Sequence, residues 1–328
     1  MIITPEQLKK WLDEKRSVRV VDIRSEEMRI QEPLVHLDTE IIPEEELGIN
    51  TMDNDPVVLI CQFGQNTERF VQNKNGRNLY SLLGGAQAWN EYVETKVDFS
   101  RYARQMVLPQ VGVEGQLALA AAKVTIVGMG GLGCPVVQYL AAAGVGTLQI
   151  IDGDVVELSN LQRQPLYRLS DVGLPKVDVA AERIVRINPE VKAVTINVPL
   201  SHKNRDDLLT GTDIIVDATD SLTVRHILDG FAAEHLIPLV YGGLYRFEGQ
   251  VSVFNHNGGP RYADLFPEHS MAGDNCTDAG VLGMLPGIIG NIQALETMKI
   301  ILGLEPNLTG KLLIYDGLSH ETNIIELG

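Results

Sequence analysis

The sequence predicts an α/β fold organised in two domains. Apolar strand-like runs alternate with helix-like segments along much of the chain, which is the pattern of sheets covered by helices. One of these runs, residues 123–127, leads directly into a glycine-rich turn and the start of a helix. The length of 328 residues also favours two domains over one. We expect a first domain over residues 1–97 and a second over residues 98–328, with the junction at Asp98-Phe99-Ser100.

The first domain has the element order of a small α/β unit. Thr4 precedes a proline and a glutamate, which is a signal for the start of a helix. The second expected strand ends on Cys61, and a helix begins at about Thr67 after a short loop. The three strands of this domain are expected over residues 18–23, 57–61 and 79–83.

This domain resembles the rhodanese-like family. The resemblance rests on a cysteine that ends a central strand and on two motifs, Val21-Asp22-Ile23-Arg24 and Leu83-Gly84-Gly85-Ala86. In that family the loop cysteine carries a persulfide, so the resemblance implies that Cys61 accepts sulfur as a thiolate stabilised by loop N–H groups. The family often has an arginine where this chain has Asn66, so we expect weak binding of an anionic sulfur donor. The alternative is that Cys61 is inert and that the domain is an interaction module.

The glycine turn is the centre of the second domain. Gly128, Gly130 and Gly133 have the spacing G-x-G-x-x-G, and Gly131 lies in the same turn. Such a turn lets a phosphate approach the backbone, and the N–H groups at the start of the next helix can hold it. The motif predicts a Rossmann-like nucleotide-binding domain. It does not identify the nucleotide, because NAD enzymes carry the same spacing.

Charged residues after the turn favour ATP. Asp152 ends the next strand, where a carboxylate can hold the ribose of either ATP or NAD. The following polar segment carries Asn160 and Arg163, and Lys176 starts the next helix. Nucleotidyl transfer needs two such cations because charge grows on the phosphate oxygens, whereas a dehydrogenase has no use for them. An NAD-dependent oxidoreductase is the alternative.

A further carboxylate is predicted at the same edge of the sheet. The apolar strand over residues 214–217 ends shortly before Asp220. An acidic residue beside a triphosphate is a natural ligand for Mg²⁺, and we predict that role for Asp220. The alternative is that Asp220 is the N-cap of the helix that begins near Ser221. Asp154 is a further candidate for the nucleotide pocket, with a structural role as its alternative.

Taken together, these motifs resemble the MoeB/ThiF/HesA branch of the ubiquitin-activating superfamily. The resemblance spans about residues 100 to 328. It implies a homodimeric adenylyltransferase that uses MgATP to activate the C-terminal glycine of a ubiquitin-like sulfur carrier ending in Gly-Gly. The product would serve thiocarboxylate formation in molybdopterin or thiamine biosynthesis. The motifs that carry it include Arg101-Tyr102-Ala103-Arg104-Gln105, residues 128–133, Ser159-Asn160-Leu161-Gln162-Arg163-Gln164, Gly173-Leu174-Pro175-Lys176 and Ala218-Thr219-Asp220.

The resemblance also assigns roles to individual residues. It implies that Asp152 holds the ribose, that Arg163 and Lys176 hold the phosphates, and that Asp220 holds Mg²⁺. Asn160 would line the same pocket. Arg104 would reach the ATP of the other subunit. A sulfur donor such as a cysteine desulfurase would supply the first domain, and a non-catalytic scaffold of the same fold is a second alternative.

Two departures from the family lie in the final third of the chain. Family members usually carry two Cys-x-x-Cys pairs that bind a structural zinc. At the position of the first pair this sequence has Arg261-Tyr262-Ala263-Asp264, and no second pair is present. We therefore predict no structural zinc. Cys276 aligns with a loop cysteine that joins the carrier or its sulfur in some relatives. It is predicted to attack the acyl-adenylate or to accept a persulfide from Cys61, or it has no chemistry at all.

Composition excludes several classes of protein. A formal net charge of −16 argues against a nucleic-acid-binding protein, which would need a basic face. No apolar run has the length of a membrane span, and the N-terminus does not have the pattern of a signal peptide. The three cysteines are too widely spaced for a disulfide framework. We expect a cytoplasmic protein that does not bind membranes.

Overall fold

A computed structural model of the chain describes residues 1–47, 55–74, 78–96, 99–267 and 280–327. The structure divides into two compact units, Met1–Arg101 and Tyr102–Gly328. The predicted boundary at residues 97 and 98 lies outside the described residues. Within the described residues, no helix combines the length and the hydrophobicity that a membrane crossing would need.

The first unit is a five-stranded parallel sheet with helices packed on it. Its strands are β1 (Ile2–Ile3), β2 (Arg19–Asp22), β3 (Glu40–Ile41), β4 (Val57–Ile60) and β5 (Leu79–Leu82). Its helices are α1 (Pro5–Asp13), α2 (Glu26–Gln31), α3 (Gln65–Asn73) and α4 (Gly85–Lys96). The strands lie in the order β1-β5-β4-β2-β3, and every pairing is parallel.

Both faces of this sheet are buried, as continuous apolar strands require. Along β4, Val58 and Ile60 belong to one core with Trp89 of α4, whereas Leu59 belongs to a second core with Val71 of α3. The predicted strands are confirmed. The sequence analysis missed β1, β3 and α2, which are short, and α2 has no buried residue to give it an apolar stripe.

The second unit is an eight-stranded mixed sheet covered by helices. Its strands are β6 (Lys123–Val127), β7 (Thr147–Ile151), β8 (Lys192–Ile196), β9 (Ile214–Asp217), β10 (Leu239–Tyr245), β11 (Glu248–Phe254), β12 (Lys311–Asp316) and β13 (Thr322–Glu326). Its helices are α5 (Ala103–Met106), α6 (Gly112–Ala121), α7 (Gly133–Ala143), α8 (Lys176–Ile187), α9 (Arg205–Leu209), α10 (Leu222–His235), α11 (Tyr262–Leu265) and α12 (Met284–Ile301). The expected mixed α/β architecture is confirmed.

The strand order explains where a ligand would bind. The order is β13-β12-β11-β10-β9-β6-β7-β8, with β10, β9, β6, β7 and β8 parallel and β10 to β13 antiparallel. The chain runs from β6 outward through β7 and β8 and then returns to place β9 on the other side of β6. Ligands of open α/β sheets bind at the carboxyl ends of the strands at such a reversal. Here the glycine turn follows β6 and the turn that contains Asp220 follows β9.

Helices cover the two faces of the second sheet unequally. Side chains of α7, α8 and α12 share one core with Val124 and Ile126 of β6, whereas Phe231 of α10 shares another with Ile215 of β9. The polar run Ser100-Arg101-Tyr102-Ala103-Arg104-Gln105 also predicts a helix, and this expectation was wrong in detail. The structure has a 3₁₀ turn, Phe99–Tyr102, followed by the single turn of α5.

Candidate functional site

The glycine turn packs against the end of β9. Gly128 has φ of +97°, and a Cβ atom there would lie 2.5 Å from the carbonyl oxygen of Ala218. A Cβ on Gly133 would collide with the carbonyl oxygen of Gly128. Only glycine is compatible with this left-handed backbone and with these close approaches. The turn therefore lies directly beside the segment that leads to Asp220.

Asp152 is held against the glycine turn. It follows β7 and is half-buried, and its Oδ2 accepts a hydrogen bond of 2.6 Å from the backbone N–H of Met129. Its Oδ1 accepts a second hydrogen bond, of 2.7 Å, from the backbone N–H of Asp154. A carboxylate oxygen has more than one lone pair, so Asp152 can accept further hydrogen bonds from a ribose hydroxyl.

Asn160 and Arg163 lie in the polar segment after Asp152. Asn160 is buried in the 3₁₀ turn Leu158–Asn160, and its Oδ1 accepts from the N–H of Glu157 at 3.2 Å, so its amide holds its own segment together. Arg163 is half-buried and donates from Nη1 to the carbonyl oxygen of Ser159 at 2.9 Å. Its own carbonyl oxygen lies 3.5 Å from the position of a Cβ on Gly131. Arg163 is therefore adjacent to the glycine turn.

Lys176 is the first residue of α8 and is buried. Its Nζ donates to Oδ2 of Asp154 at 2.8 Å, and the side chain of Asp154 is 72% exposed. Asp154 also follows Asp152 in the chain, so the ion pair orients Lys176 toward the same end of the sheet. Because an ammonium group has three donors, this ion pair leaves capacity for phosphate oxygens.

Asp220 is exposed and does not cap the following helix. Ser221 is the N-cap of α10, and its hydroxyl accepts from the N–H of Val224 at 3.4 Å. The alternative role of Asp220 as the N-cap is therefore wrong. Within the part of the chain that the structure describes, the Asp220 carboxylate has no hydrogen-bond or ion-pair partner.

A buried ion pair supports the turn that precedes Asp220. Oδ1 of Asp217 accepts from both the N–H and the hydroxyl of Thr219, and its Oδ2 lies 3.3 Å from Nε of Arg225. Arg225 also donates to the carbonyl oxygen of Thr219 at 2.8 Å and lies over the ring of Tyr241. Burial raises the pKa of the Asp217 carboxyl, and the Arg225 guanidinium opposes that rise. The pair fixes the backbone from which Asp220 projects.

The sequence analysis missed two residues beside the glycine turn. Gln164 is 3% exposed, and its Nε2 lies 3.6 Å from the position of a Cβ on Gly130. Tyr167 is buried and donates from its hydroxyl to the carbonyl oxygen of Met129 at 2.8 Å. Gln164 is the last residue of the motif that begins at Ser159, whereas the only sequence signal for Tyr167 is its position shortly after that motif.

The predicted nucleotide-binding residues are thus connected to one turn through backbone and side-chain contacts. Asp152 and Arg163 contact the glycine turn, Asp154 and Lys176 are joined to it through Asp152, and the backbone of Ala218, two residues before Asp220, packs against Gly128. Arg104 is exposed on α5. Cys276 lies outside the described residues.

In the first unit, Cys61 follows β4 and is 7% exposed. Its Sγ lies 3.5 Å from Oγ1 of Thr67, and that hydroxyl lies 2.8 Å from Oγ of Ser81. The loop continues to Gly64, which starts α3 with a left-handed backbone. The thiol is therefore held in a small polar cluster at the end of a central strand.

Two carboxylates and one arginine contact side chains of this loop within the described residues. Nδ2 of Asn66 donates to Oε2 of Glu44 at 3.4 Å, and Nε2 of Gln62 donates to Oε2 of Glu32. The nearby Arg24 is buried and is occupied by the Asp22 carboxylate at 2.8 Å. Carboxylates therefore lie at this loop, and weak binding of an anionic sulfur donor stays a prediction.

A buried carboxylate binds the segment in which family members usually carry the first Cys-x-x-Cys pair. Asp229 of α10 is 1% exposed and accepts from Nη2 of Arg261 at 3.0 Å and from Nδ2 of Asn255 at 3.1 Å. It also accepts from the backbone N–H groups of Tyr262 and Ala263 at 2.8 and 3.4 Å. No group of three or more metal-ligating side chains occurs in the described ranges. The start of α11 is thus anchored by Asp229.

The ThiF family model matches residues 102–328 of the sequence. The chain belongs to the ThiF family. The rhodanese-like domain model matches residues 4–92, within the first unit. This ThiF family member therefore carries a rhodanese-like domain in front of its nucleotide-binding unit.

Curated relatives of this ThiF family member are adenylyltransferases. The chain is 46% identical over 231 residues to the sulfur carrier protein adenylyltransferase of Thermus thermophilus, covering 68% of this chain and 85% of the relative. It is 46% identical over 232 residues to the adenylyltransferase and sulfurtransferase MOCS3 of Culex quinquefasciatus, covering 70% of this chain and 52% of the relative. It is 42% identical over 225 residues to the probable molybdopterin-synthase adenylyltransferase of Porphyra purpurea, covering 68% and 59%. The matches span little more than half the length of the last two relatives.

Solved structures share the fold of the ThiF-family unit. The crystal structure of PaaA is 28% identical with a TM-score of 0.61, covering 71% of this chain and 74% of that chain. The crystal structure of E. coli MccB with ATP is 21% identical with a TM-score of 0.60, covering 66% of each chain. At that identity the second likeness concerns the fold alone.

Proposed function

We propose that this protein is an ATP-dependent adenylyltransferase that activates the C-terminal glycine of a ubiquitin-like sulfur carrier. Its product would be used for thiocarboxylate formation in molybdopterin or thiamine biosynthesis, in the cytoplasm. The observation that carries the proposal is the contact of Asp152 and Arg163 with one glycine turn, to which the Lys176–Asp154 pair is joined through Asp152. Membership of the ThiF family and the names of the relatives support it.

The proposed roles of the side chains follow from charge and hydrogen-bond capacity. Asp152 accepts from the ribose hydroxyls, and Asn160 keeps the neighbouring segment in place. N–H groups of the glycine turn and of the start of α7 donate to phosphate oxygens. Arg163 and Lys176 balance the negative charge of the triphosphate and the charge that develops on the departing pyrophosphate.

Mg²⁺ fits the oxygen ligand that Asp220 offers. This cation is usually bound by one or two carboxylates together with substrate phosphates and water, rather than by a cage of protein ligands. An exposed carboxylate that has no partner among the described residues, on a turn fixed by Asp217 and Arg225, suits that mode. When bound, the cation would withdraw charge from the phosphate oxygens.

In the proposed step the terminal carboxylate of the carrier attacks the α-phosphorus of ATP. A bond forms between a carboxylate oxygen and that phosphorus, the bond to the bridging oxygen breaks, and pyrophosphate leaves. No side chain acts as the nucleophile. The protein's contribution is to place two anions against each other and to offset their charge. An NAD-dependent oxidoreductase is not favoured, because it gives Arg163 and Lys176 no role.

The proposal includes a homodimer and a sulfur transfer step. Arg104, exposed on α5, would reach the nucleotide of the second subunit. Cys61 would receive sulfur from a donor such as a cysteine desulfurase and deliver it toward the activated carrier. Cys276 is proposed as the residue that attacks the acyl-adenylate or takes over the persulfide.

Incubation with MgATP and a carrier ending in Gly-Gly tests the proposed function. We expect a carrier whose mass has increased by one AMP, together with pyrophosphate exchange that depends on the carrier. A thermal-shift comparison of MgATP with NAD is the control for ligand class, since at equal concentration the ligand that binds the folded protein more tightly stabilises it more. Stabilisation by NAD but not by MgATP would support the oxidoreductase. If no carrier produced pyrophosphate exchange, the result would support the non-catalytic scaffold.

Cys61→Ser is expected to abolish thiocarboxylate formation and to leave pyrophosphate exchange unchanged. The reason is that sulfur delivery needs a thiolate, whereas adenylation needs only positioned charges. The assay combines a cysteine desulfurase, free cysteine, MgATP and the carrier, and weighs the carrier by mass spectrometry. An unchanged yield of thiocarboxylate would show that Cys61 is not on the sulfur path.

Asn66→Arg is expected to increase thiosulfate sulfurtransferase activity of the first unit by about tenfold, because a cation at the loop attracts an anionic donor. The Asn66 amide now contacts Glu44, so the loop presents a carboxylate to the donor. Asn73→Arg, at the far end of α3, adds the same charge away from the loop and is the matched control. Equal gains from both variants would show that net charge, and not residue 66, sets the activity.

A further inference from the structure

Met129 lies in the middle of the glycine turn, and both its backbone N–H and its carbonyl oxygen form hydrogen bonds with side chains. Its N–H donates to Oδ2 of Asp152 at 2.6 Å, and its carbonyl oxygen accepts from the hydroxyl of Tyr167 at 2.8 Å. Met129 is fully buried and Tyr167 is 4% exposed, so water does not replace either partner. The conformation of the turn is therefore set by two side chains from outside it.

Tyr167 connects the turn to the segment of Arg163. Its backbone N–H donates to the carbonyl oxygen of Gln164 at 3.1 Å, which places Tyr167 at the end of the same polar segment. The hydroxyl thus fixes the distance between the glycine turn and a second element that faces it. Burial raises the pKa of the Tyr167 phenol, which keeps the hydroxyl a proton donor at neutral pH.

The neighbouring Cys134 offers no substitute for this bond. Its Sγ lies 3.9 Å from the same carbonyl oxygen, and a thiol is a weak donor. Burial raises the pKa of the Cys134 thiol to about 12, so it stays neutral. Loss of the Tyr167 hydroxyl would leave the Met129 carbonyl without a strong donor in a buried place, and the turn would shift to regain one.

We propose that Tyr167 is a positioning residue for the triphosphate: its hydroxyl holds the glycine turn in the conformation that presents backbone N–H groups to phosphate oxygens. This inference rests on the proposed function, because it assumes that the turn binds the phosphates of ATP. Small displacements at such a turn matter, since donors bind phosphate only in a narrow range of distances and angles. The adenosine part depends less on the turn, because Asp152, its proposed ribose ligand, is also held by a second hydrogen bond, from the backbone N–H of Asp154.

The test compares Tyr167→Phe with Tyr139→Phe by calorimetric binding of ATP and of adenosine, without the carrier. Tyr167→Phe removes the hydroxyl and keeps the ring, and we expect ATP to bind about fivefold more weakly while adenosine binding changes less than twofold. Tyr139 is 59% exposed on α7, so removal of its hydroxyl is the matched control and should change neither affinity. In the adenylation assay the same loss should appear in KM for MgATP, with kcat and KM for the carrier unchanged.

The outcomes separate positioning from a general structural role. Equal weakening of ATP and adenosine, together with a lower melting temperature, would assign Tyr167 to the fold and overturn the proposal. Unchanged ATP affinity in a stable Tyr167→Phe variant would overturn it as well. A wild-type protein that binds ATP but adenylates no carrier would reject the proposed function, while the calorimetric comparison would still decide the role of Tyr167.

Discussion

An Asp220→Asn variant is expected to form the carrier adenylate at least about 100-fold more slowly than the wild type, because asparagine keeps the shape of the side chain but not its charge. A neutral amide is a poor ligand for a hard cation. Pyrophosphate exchange measured over a range of Mg²⁺ concentrations checks this. High Mg²⁺ should restore part of the rate if the variant has lost affinity for the cation.

The control for Asp220→Asn is Asp207→Asn, which makes the same charge change on the exposed surface of α9 and should leave exchange unchanged. We do not expect the variant to lose activity through instability. Because Ser221, and not Asp220, caps α10, the free energy of unfolding of the variant should lie within about 0.5 kcal/mol of the wild-type value. Near-normal exchange by the variant would mean that the cation is held elsewhere.

The parts of the nucleotide site that could be predicted are those with local sequence rules. The glycine turn has a fixed spacing because part of its steric constraint is local, as the left-handed backbone of Gly128 and the contact of Gly133 with Gly128 show. Asp152 could be placed because a carboxylate at the end of the next strand faces the same turn. The same logic predicted the helix that begins at Lys176.

Residues that act through tertiary contacts could not be found in the same way. Tyr167 is separated from Met129 by 38 positions, and nothing in the sequence around either residue indicates a bond between them. The ion pair between Asp217 and Arg225 likewise has no local pattern that indicates it. The role of Ser221 as the N-cap depended on one residue of register, which is the usual uncertainty of a helix boundary.

The segment that begins at Arg261, where family members usually carry the first Cys-x-x-Cys pair, shows another limit of prediction from sequence. The sequence showed that the first cysteine pair is missing, but it could not show what anchors the segment instead. In the structure Asp229 anchors the segment. Its carboxylate accepts hydrogen bonds from a guanidinium group, an amide and two backbone N–H groups. The partners lie 26 to 34 positions away in the chain, beyond the reach of local patterns.

Asp229→Ala is expected to lower the free energy of unfolding of the second unit by about 3 kcal/mol, because it leaves buried N–H donors without an acceptor. The N–H groups of Tyr262 and Ala263 lose their partner in place, and Arg261 loses its counter-charge. Urea unfolding followed by far-ultraviolet circular dichroism measures the change. Asp207→Ala, which removes an exposed carboxylate, should shift the transition by less than about 0.5 kcal/mol.

The effect of Asp229→Ala should be confined to one unit. Both tryptophans of the chain, Trp11 and Trp89, lie in the first unit, so their fluorescence follows the unfolding of that unit separately. We expect the fluorescence transition to stay where it is in the wild type.

If Asp229 anchors α11 without a metal, a chelator should leave the wild-type circular dichroism transition unmoved. Stoichiometric zinc in the purified protein, or a chelator-induced loss of stability that matches Asp229→Ala, would show that a metal and not the carboxylate holds this segment.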